Sequence, residues 1–526
     1  MPGIHSKHSH FISVILGAFV LGSGLSAAPV FSQSADKVDA TTLEGKVLFG
    51  YQGWFSCPEA GGYWGHWSNG TPAATNLTID MYPFLGDFQP QELCKAGSMT
   101  TGGKQAYLFS SQSPKVVDTH FKWMEEYGLD GVLVQRFIGE APGKRSSGDV
   151  VLKNIMAAAL AHGRTFAIEY DLTGGSEANY ARDVETDWKY LVDNLKVTSH
   201  PCYLHHKGLP VVSLWGPGLS NQTPSNSASM IPFINWFHTD APQQYRAVYI
   251  GGTPAQWRTL NGDARTDPAW NSIYKSMDVV QPWTVGRYAD TNGVNSWKRT
   301  TLAPDIAQAK ANGNLYMPVV FPGFSWSNLH QGTKNQIPRM GGKFLWRQAY
   351  NARAAGATML KFAMFDEVDE GTAMFKVVSQ RTQAPDQGYW LTLDADGYKL
   401  PPDWYLRIAG EVTKMFHGAL PASSAMPLDP SNPAASAIDP LPAQKRDIGL
   451  RFNPVSGGMQ FRMAAANGTL RIFSPLGSAL RSLAIRDGGA FWDEKDARGK
   501  ALPSGLYLAA VRGPTGGESF STLVLP

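Results

Sequence analysis

The sequence predicts an α/β protein built as a (β/α)8, TIM-like barrel followed by a small all-β sandwich, and three observations lead there. Between Gly45 and about Ala419, eight short β-branched or aromatic runs alternate with amphipathic stretches, the pattern of parallel strands joined by helices. Residues 421–447 are then rich in Pro, Ala and Ser and too poor in large apolar side chains to form a core, so they read as a linker. Beyond the linker the apolar period changes to two, at Met459, Phe461 and Met463, at Leu470 and Ile472, and at Tyr507, Ala509 and Val511, with glycine-rich turns between. The expected units are therefore an export leader at 1–32, the barrel at 45–420, the linker at 421–447 and the β unit at 448–526.

The leader is read from Lys7, the apolar run Phe11–Leu21 and the small residues Ser26, Ala27 and Ala28 that follow. The run is short and broken by Gly17, Gly22 and Gly24, so no stable membrane insertion is expected, and the mature protein should lie outside the cytoplasm, secreted, periplasmic or on the cell surface. The barrel strands are expected at Lys46–Trp54, Gly131–Phe137, Thr165–Leu172, Leu209–Trp215, Ala247–Gly251, Val279–Val285, Leu315–Phe321 and Thr358–Phe365. Helices are expected at Val116–Tyr127, Val150–His162, Val184–Leu195, Trp297–Asn312 and Lys343–Ala355. A doubly wound open sheet would fit the same alternation, but no G-x-G-x-x-G loop follows the first strand.

In a barrel, the residues just past each strand share one mouth. The last strand, TMLKFAM, runs straight into Phe365-Asp366-Glu367-Val368-Asp369-Glu370-Gly371-Thr372. Glu367 and Glu370 stand three apart, a spacing that can turn both carboxyls toward one pocket while Asp366 and Asp369 face elsewhere. Two carboxyls in one pocket repel, so one keeps its proton while the other ionises, which supplies an acid and a base from a single residue type. That is the chemistry of glycoside hydrolysis, with Glu367 and Glu370 as the catalytic pair. Calcium binding through Asp366 and Asp369, and simple helix capping, are the other readings of the motif. The remaining mouth residues are candidates for substrate contact: Tyr51, Trp54, His66 and Trp67 around the first strand, Arg136 after the second, Glu169 and Tyr170 after the third, and Trp215, Trp283 and Trp326 after the fourth, sixth and seventh. Tryptophans suit the flat apolar faces of sugars, although each could equally be barrel packing.

The chain has 46 basic and 43 acidic residues, a net charge of +3 and no basic run, which argues against nucleic acid as a partner. No metal site at His-x-x-x-His spacing, no P-loop and no G-x-S-x-G elbow occurs, so neither cofactor nor metal is expected and esterase chemistry has no local support. Of the three cysteines, Cys57, Cys94 and Cys202, one bridge is possible, most simply Cys57 to Cys94.

Several of these segments resemble glycoside hydrolase family 99, the endo-α-mannosidase and endo-α-mannanase family. Tyr51 through Trp67 (YQGWFSCPEAGGYWGHW) is similar to its aromatic opening turn. Asp80-Met81-Tyr82-Pro83, Thr119–Met124 and Ala167-Ile168-Glu169-Tyr170 are similar to later segments, and Phe365–Thr372 resembles its F-N-E-W-H-E-G-T. The resemblance spans about Gly45 to His417 and implies a metal-independent retaining α-glycosidase working through a 1,2-anhydro sugar. It implies Glu367 as the base on the sugar 2-hydroxyl and Glu370 as the acid/base, with Tyr51 and Glu169 near the same sugar. The chain departs from that pattern at Asp366, Val368, Asp369 and Ala167, which places it nearer a mixed family 71/99-like bacterial group and leaves the sugar open. Phe491–Gly499 with Leu502–Tyr507 resembles the W-D-G-x-D…P-S-G-x-Y pattern of FlgD-like immunoglobulin-type domains, implying an immunoglobulin-like sandwich with a spacer, docking or sorting role. The expectation is an exported glycosidase of α-linked glycans or polysaccharides, its partner a glycan substrate. A non-catalytic carbohydrate-binding barrel is the alternative.

Overall fold

The computed structural model describes residues 37–60, 62–139, 145–434, 451–462, 467–474, 479–512 and 518–525. The expected leader at 1–32, the linker beyond residue 434 and Met463 lie outside them.

The central sheet is parallel and curled. Its strands are β1 (Val47–Tyr51), β2 (Gly131–Phe137), β3 (Thr165–Asp171), β4 (Leu209–Trp215), β5 (Val248–Thr253), β6 (Val279–Pro282), β7 in two pieces (Leu315–Tyr316 and Val319–Val320) and β8 (Leu360–Phe362). Sequential strands pair side by side from β1 to β6, and β8 returns to pair with β1, with Val47 opposite Leu360. The first piece of β7 pairs with β6 and the second with β8. Between the pieces lies Pro318, which has no N–H to give to a ladder, so the strand changes partner there. Met317 N–H reaches Val280 O at 2.9 Å, and Lys361 N–H reaches Pro318 O at 2.9 Å. The sheet is thus TIM-barrel-like, with helices around it. All five residues of β1 are buried, as expected of a strand covered on both faces.

The outer helices include α1 (Pro114–Glu126), α2 (Arg145–His162), α3 (Tyr180–Tyr190), α4 (Met230–Asn235), α5 (Trp270–Ser276), α6 (Thr291–Trp297), α7 (Ala303–Asn312), α8 (Lys343–Ala354) and α9 (Trp404–Phe416). The helix expected from Trp297 begins earlier, because Asp290 caps α6 by accepting the Gly293 N–H at 2.7 Å. It ends where expected, since Gly313 takes φ 87° beyond α7. The first strand is shorter than expected. Its ladder stops at Tyr51 because Gly53 turns to φ 62° and the Gln52 and Gly53 amides go to Asp366 instead.

At the carboxyl side of the chain, β9 (Arg451–Val455), β10 (Gly458–Arg462) and β13 (Gly489–Trp492) form one antiparallel sheet. A second contains β11 (Gly468–Phe473), β12 (Ala479–Ile485), β14 (Gly505–Arg512) and β15 (Glu518–Leu525). Met459, Phe461, Leu470, Ile472, Trp492 and Tyr507 meet in one buried cluster drawn from both sheets. The period-two pattern holds on β14, where Tyr507, Ala509 and Val511 face that cluster while Leu508 and Ala510 pack with Phe473 against Ala161 of α2. Among the described residues no helix is long and apolar enough to cross a membrane.

Candidate active site

The site is built where β8 ends, at the carboxyl end of the barrel strands. The chain leaves Phe362 and folds back on itself through residues 366–371, placing four carboxyls within five residues. Their environments separate them.

Asp366 is fully buried and accepts the Gln52 N–H at 2.8 Å on one oxygen and the Gly53 N–H at 2.9 Å on the other. It ties the end of β8 to the end of β1 through these two amides, and burial raises its carboxyl to about 7. Glu367 is 4% exposed and accepts from Gln52 Nε2 at 2.7 Å and from Thr372 Oγ1 at 2.5 Å. Burial, then repulsion from Glu370 and Asp369, pushes its carboxyl well above the ordinary range, against the pull of those two donors. Glu370 has no side-chain hydrogen-bond partner among the described residues, and burial followed by the charge of Asp369 raises it to about 7. Both carboxyls are therefore pushed toward their protonated forms, so the pair retains a proton at neutral pH; Glu367 carries two hydrogen-bond donors that favour its ionised form, and Glu370 carries none among the described residues.

Asp369 pairs with His66 Nδ1 at 3.2 Å, and the His66 ring stacks on Trp54 at 3.8 Å and 5°. Asp80 is a pin of another kind. It accepts from Ser325 Oγ at 2.5 Å, Ser327 N–H at 2.8 Å and Asn328 N–H at 2.7 Å, while Ser325 N–H donates to Glu370 O at 2.8 Å. The loop after β1, the loop after β7 and the acidic turn are thereby locked together. Cys57 and Cys94 are bonded, closing the same loop, and Cys202 is free and buried.

Beside the acidic turn lies a cavity of about 490 Å³ over the ends of β1, β2 and α3, lined among others by Gln52, Trp54, Tyr63, His66, Gln135 and Phe137. Gln52 connects it to Glu367 and His66 connects it to Asp369. Gln52 Oε1, Trp54 Nε1 and Gln135 Oε1 are buried with no hydrogen-bond partner among the described residues.

The other sequence candidates divide by burial. Trp54, Trp215, Trp283 and Trp326 are half-buried, and Trp215 meets Trp283 edge to face at 5.7 Å. Tyr51, Trp67, Glu169 and Tyr170 are fully buried. The Tyr51 hydroxyl is 2.9 Å from His120 Nδ1, and Trp67 gives its indole N–H to Phe109 O at 2.9 Å within an aromatic cluster. Glu169 is held by Lys361, Gln135 and, at 2.7 Å, Ser213 Oγ, and Tyr170 donates to Asp187 at 3.0 Å. Arg136 lines the cavity but neutralises neither Glu169 nor the acids after β8. It forks onto Asp187, at 2.7 Å through Nη2, and reaches Asp149 at 3.1 Å. Lys361, Asp80 and Thr372 were missed as supports. Lys361 carried a signal, because a lysine inside the apolar run TMLKFAM must find a buried counter-charge.

No family model and no curated protein matches the chain. Among solved structures, the GH99 endo-alpha-mannosidase from Bacteroides thetaiotaomicron aligns at 18% identity and a TM-score of 0.53, covering 72% of this chain and 99% of that one. The same enzyme in complex with BIS-TRIS-Propane aligns at 18% identity with a TM-score of 0.52 and the same coverage. At this identity the similarity is one of fold, and the chain carries a GH99-like glycosidase fold with its acidic turn at the carboxyl end of the barrel.

Proposed function

We propose that this protein is an exported glycoside hydrolase that cleaves α-linked glycans or polysaccharides with retention, using Glu367 and Glu370. The observation that carries the reading is the pair itself, a buried Glu367 and a half-buried Glu370, both pushed toward their protonated forms at the mouth of a glycosidase-like barrel, next to a cavity with amide and indole groups that have no partner among the described residues. Such groups are suited to sugar hydroxyls, which donate and accept.

In the proposed chemistry Glu367 removes the proton of the sugar 2-hydroxyl while that oxygen closes on C1, and Glu370 gives its proton to the departing glycosidic oxygen. Glu370, now ionised, takes a proton from water as the water attacks C1. The strained C1–O2 bond opens, and Glu367 returns its proton to O2. Two inversions give net retention, and each carboxyl ends as it began. The 1,2-anhydro route and the mannan-like substrate class come from the resemblance to family 99, as does the link to endo-acting enzymes. Residues 1–32 would direct export, 421–447 would tether, and the β unit at 448–526 would serve as an immunoglobulin-like spacer or dock.

The test is product release from α-mannans, α-glucans and pentose-containing glycans by the wild type, Glu367→Gln and Glu370→Gln. Release by the wild type that both variants abolish is expected. Binding without cleavage by the wild type would replace this reading with a non-catalytic glycan-binding barrel, which one observation favours: neither glutamate is among the side chains lining the cavity.

A further inference from the structure

Gln52 and Gln135 are held in the same way from neighbouring strands. Gln52 follows β1, where its own N–H is fixed on Asp366 Oδ1 at 2.8 Å, and its side-chain amide donates through Nε2 to Glu367 Oε1 at 2.7 Å. Gln135 lies on β2 in register with Glu169 on β3, and its amide donates through Nε2 to Glu169 Oε1. A carboxylate only accepts, so each glutamine turns its NH2 to the acid and its carbonyl away. Glu169 is such a carboxylate, because Lys361 and Ser213 donate to it as well, and Glu367 is one in the ionised form that a base requires. Gln52 Oε1 and Gln135 Oε1 are both buried with no hydrogen-bond partner among the described residues, and both residues line the cavity. A buried amide carbonyl with no donor costs stability, and methionine would fill the same space without that cost, so packing does not account for the two oxygens.

Trp54, two residues beyond Gln52, is stacked on His66 at 3.8 Å and on Phe137 at 5.4 Å, with the rings inclined by 5° and 20°. With its ring engaged twice, what it offers a ligand is its edge, and Nε1 on that edge is buried without an acceptor among the described residues. The cavity's arginines are committed, Arg136 to Asp187 and Asp149, and Arg182 to Asp183. Recognition by Gln52, Gln135 and Trp54 therefore rests on neutral hydrogen bonds, two acceptors and one donor held in fixed places. That set matches a sugar edge that gives two hydroxyl protons and accepts one.

We propose that Gln52, Gln135 and Trp54 form a sugar subsite beside the acidic turn, in which the two glutamine carbonyls accept hydroxyl protons and the indole N–H donates to a sugar oxygen. Gln52, bonded to Glu367 through the other end of its amide, is also a positioning residue for that glutamate. A hydroxyl that donates to Gln52 Oε1 polarises the amide and strengthens its N–H bond to Glu367, so a filled subsite favours the ionised glutamate. The subsite requires free hydroxyls, because an O-methyl group removes the proton that a carbonyl acceptor needs. That its ligand is a sugar rests on the glycosidase reading; the hydrogen-bond pattern does not.

The experiment uses the full-length protein carrying Glu370→Gln, so that nothing is turned over. Titration calorimetry follows binding of α-manno-, α-gluco- and pentose-containing oligosaccharides and of their per-O-methylated forms. At least one free oligosaccharide is expected to bind, and its methylated form to bind more weakly. Gln52→Met, Gln135→Met and Trp54→Phe keep the bulk of each side chain and should each weaken binding of the free sugar about tenfold. They should also shrink its preference over the methylated form, which steric bulk alone does not explain. No binding by any of these oligosaccharides, or unchanged affinity in all three variants, would overturn the proposal, and unchanged affinity in one variant removes that residue from it. Should a methionine variant fail to fold, Trp54→Phe, which keeps a ring in the stack, still reads the subsite. Where the wild type hydrolyses a glycan, Gln135→Met and Trp54→Phe should act on KM, and Gln52→Met on KM and kcat together; a merely structural loss lowers the active fraction and leaves KM in place. Gln52→Met acting on KM alone would remove the positioning role. Cleavage with KM unmoved in every variant refutes the subsite and spares the glycosidase reading, whereas binding without cleavage refutes that reading and spares the subsite.

Discussion

Replacing Glu370 with glutamine should stabilise the protein above neutral pH while abolishing turnover. Burial and Asp369 raise the Glu370 carboxyl from an ordinary 4.5 to about 7. The folded state thus binds this proton more tightly than the unfolded state does. Below the unfolded value both states are protonated and the stabilising contribution is complete; it is lost as pH rises through about 7, where the folded state must ionise a half-buried carboxyl crowded by acids. A rise of roughly 2.5 pH units at 1.36 kcal/mol each corresponds to about 3 kcal/mol. Glutamine has nothing to ionise and also relieves the repulsion that Glu370 exerts on Glu367. Thermal melts of wild type and Glu370→Gln at pH 5 and pH 8 provide the assay. The two should nearly coincide at pH 5, and at pH 8 the variant should melt higher by a few °C. A variant that is less stable at pH 8, or displaced equally at both pH values, would refute the assignment of a proton-retaining Glu370. A gain in stability paired with a loss of turnover marks a group whose strain serves chemistry.

The Lys361–Glu169 ion pair in the barrel interior has both side chains fully buried. Lys361→Met should cost about 3–5 kcal/mol by stranding Glu169, and adding Glu169→Gln should restore most of it; urea midpoints that fall additively would refute the pairing. The Cys57–Cys94 bond spans 37 residues, which in the loop-entropy model is worth about 4 kcal/mol. Reduction should therefore lower the melting temperature, since the closed loop carries His66 and Asp80, and an unchanged melt under reductant would exclude a stabilising role.

The barrel was legible because strands buried on both faces must be apolar throughout, and β2, β3 and β4 fall almost where their runs fall. Boundaries failed where a distant side chain captured the backbone, as Asp366 does to Gln52 and Gly53, or where Pro318 hands one strand from β6 to β8. The site was legible in its acids, since four of them lie in one short turn, but not in its pairings. His66 meets Asp369 across 303 positions, Glu169 meets Lys361 across 192, and Arg136 meets Asp187 across 51. Nor does residue type reveal burial for amphipathic rings: Trp67 is sealed in a cluster, while Trp54 on the same loop borders the cavity. The carboxylates make the point most sharply. Asp80 and Asp366 spend both oxygens on donors and act as pins, whereas Asp369 gives one oxygen to His66 and keeps the other buried without a partner among the described residues. In sequence these three aspartates look alike; what separates them is the number of donors that the fold brings to each.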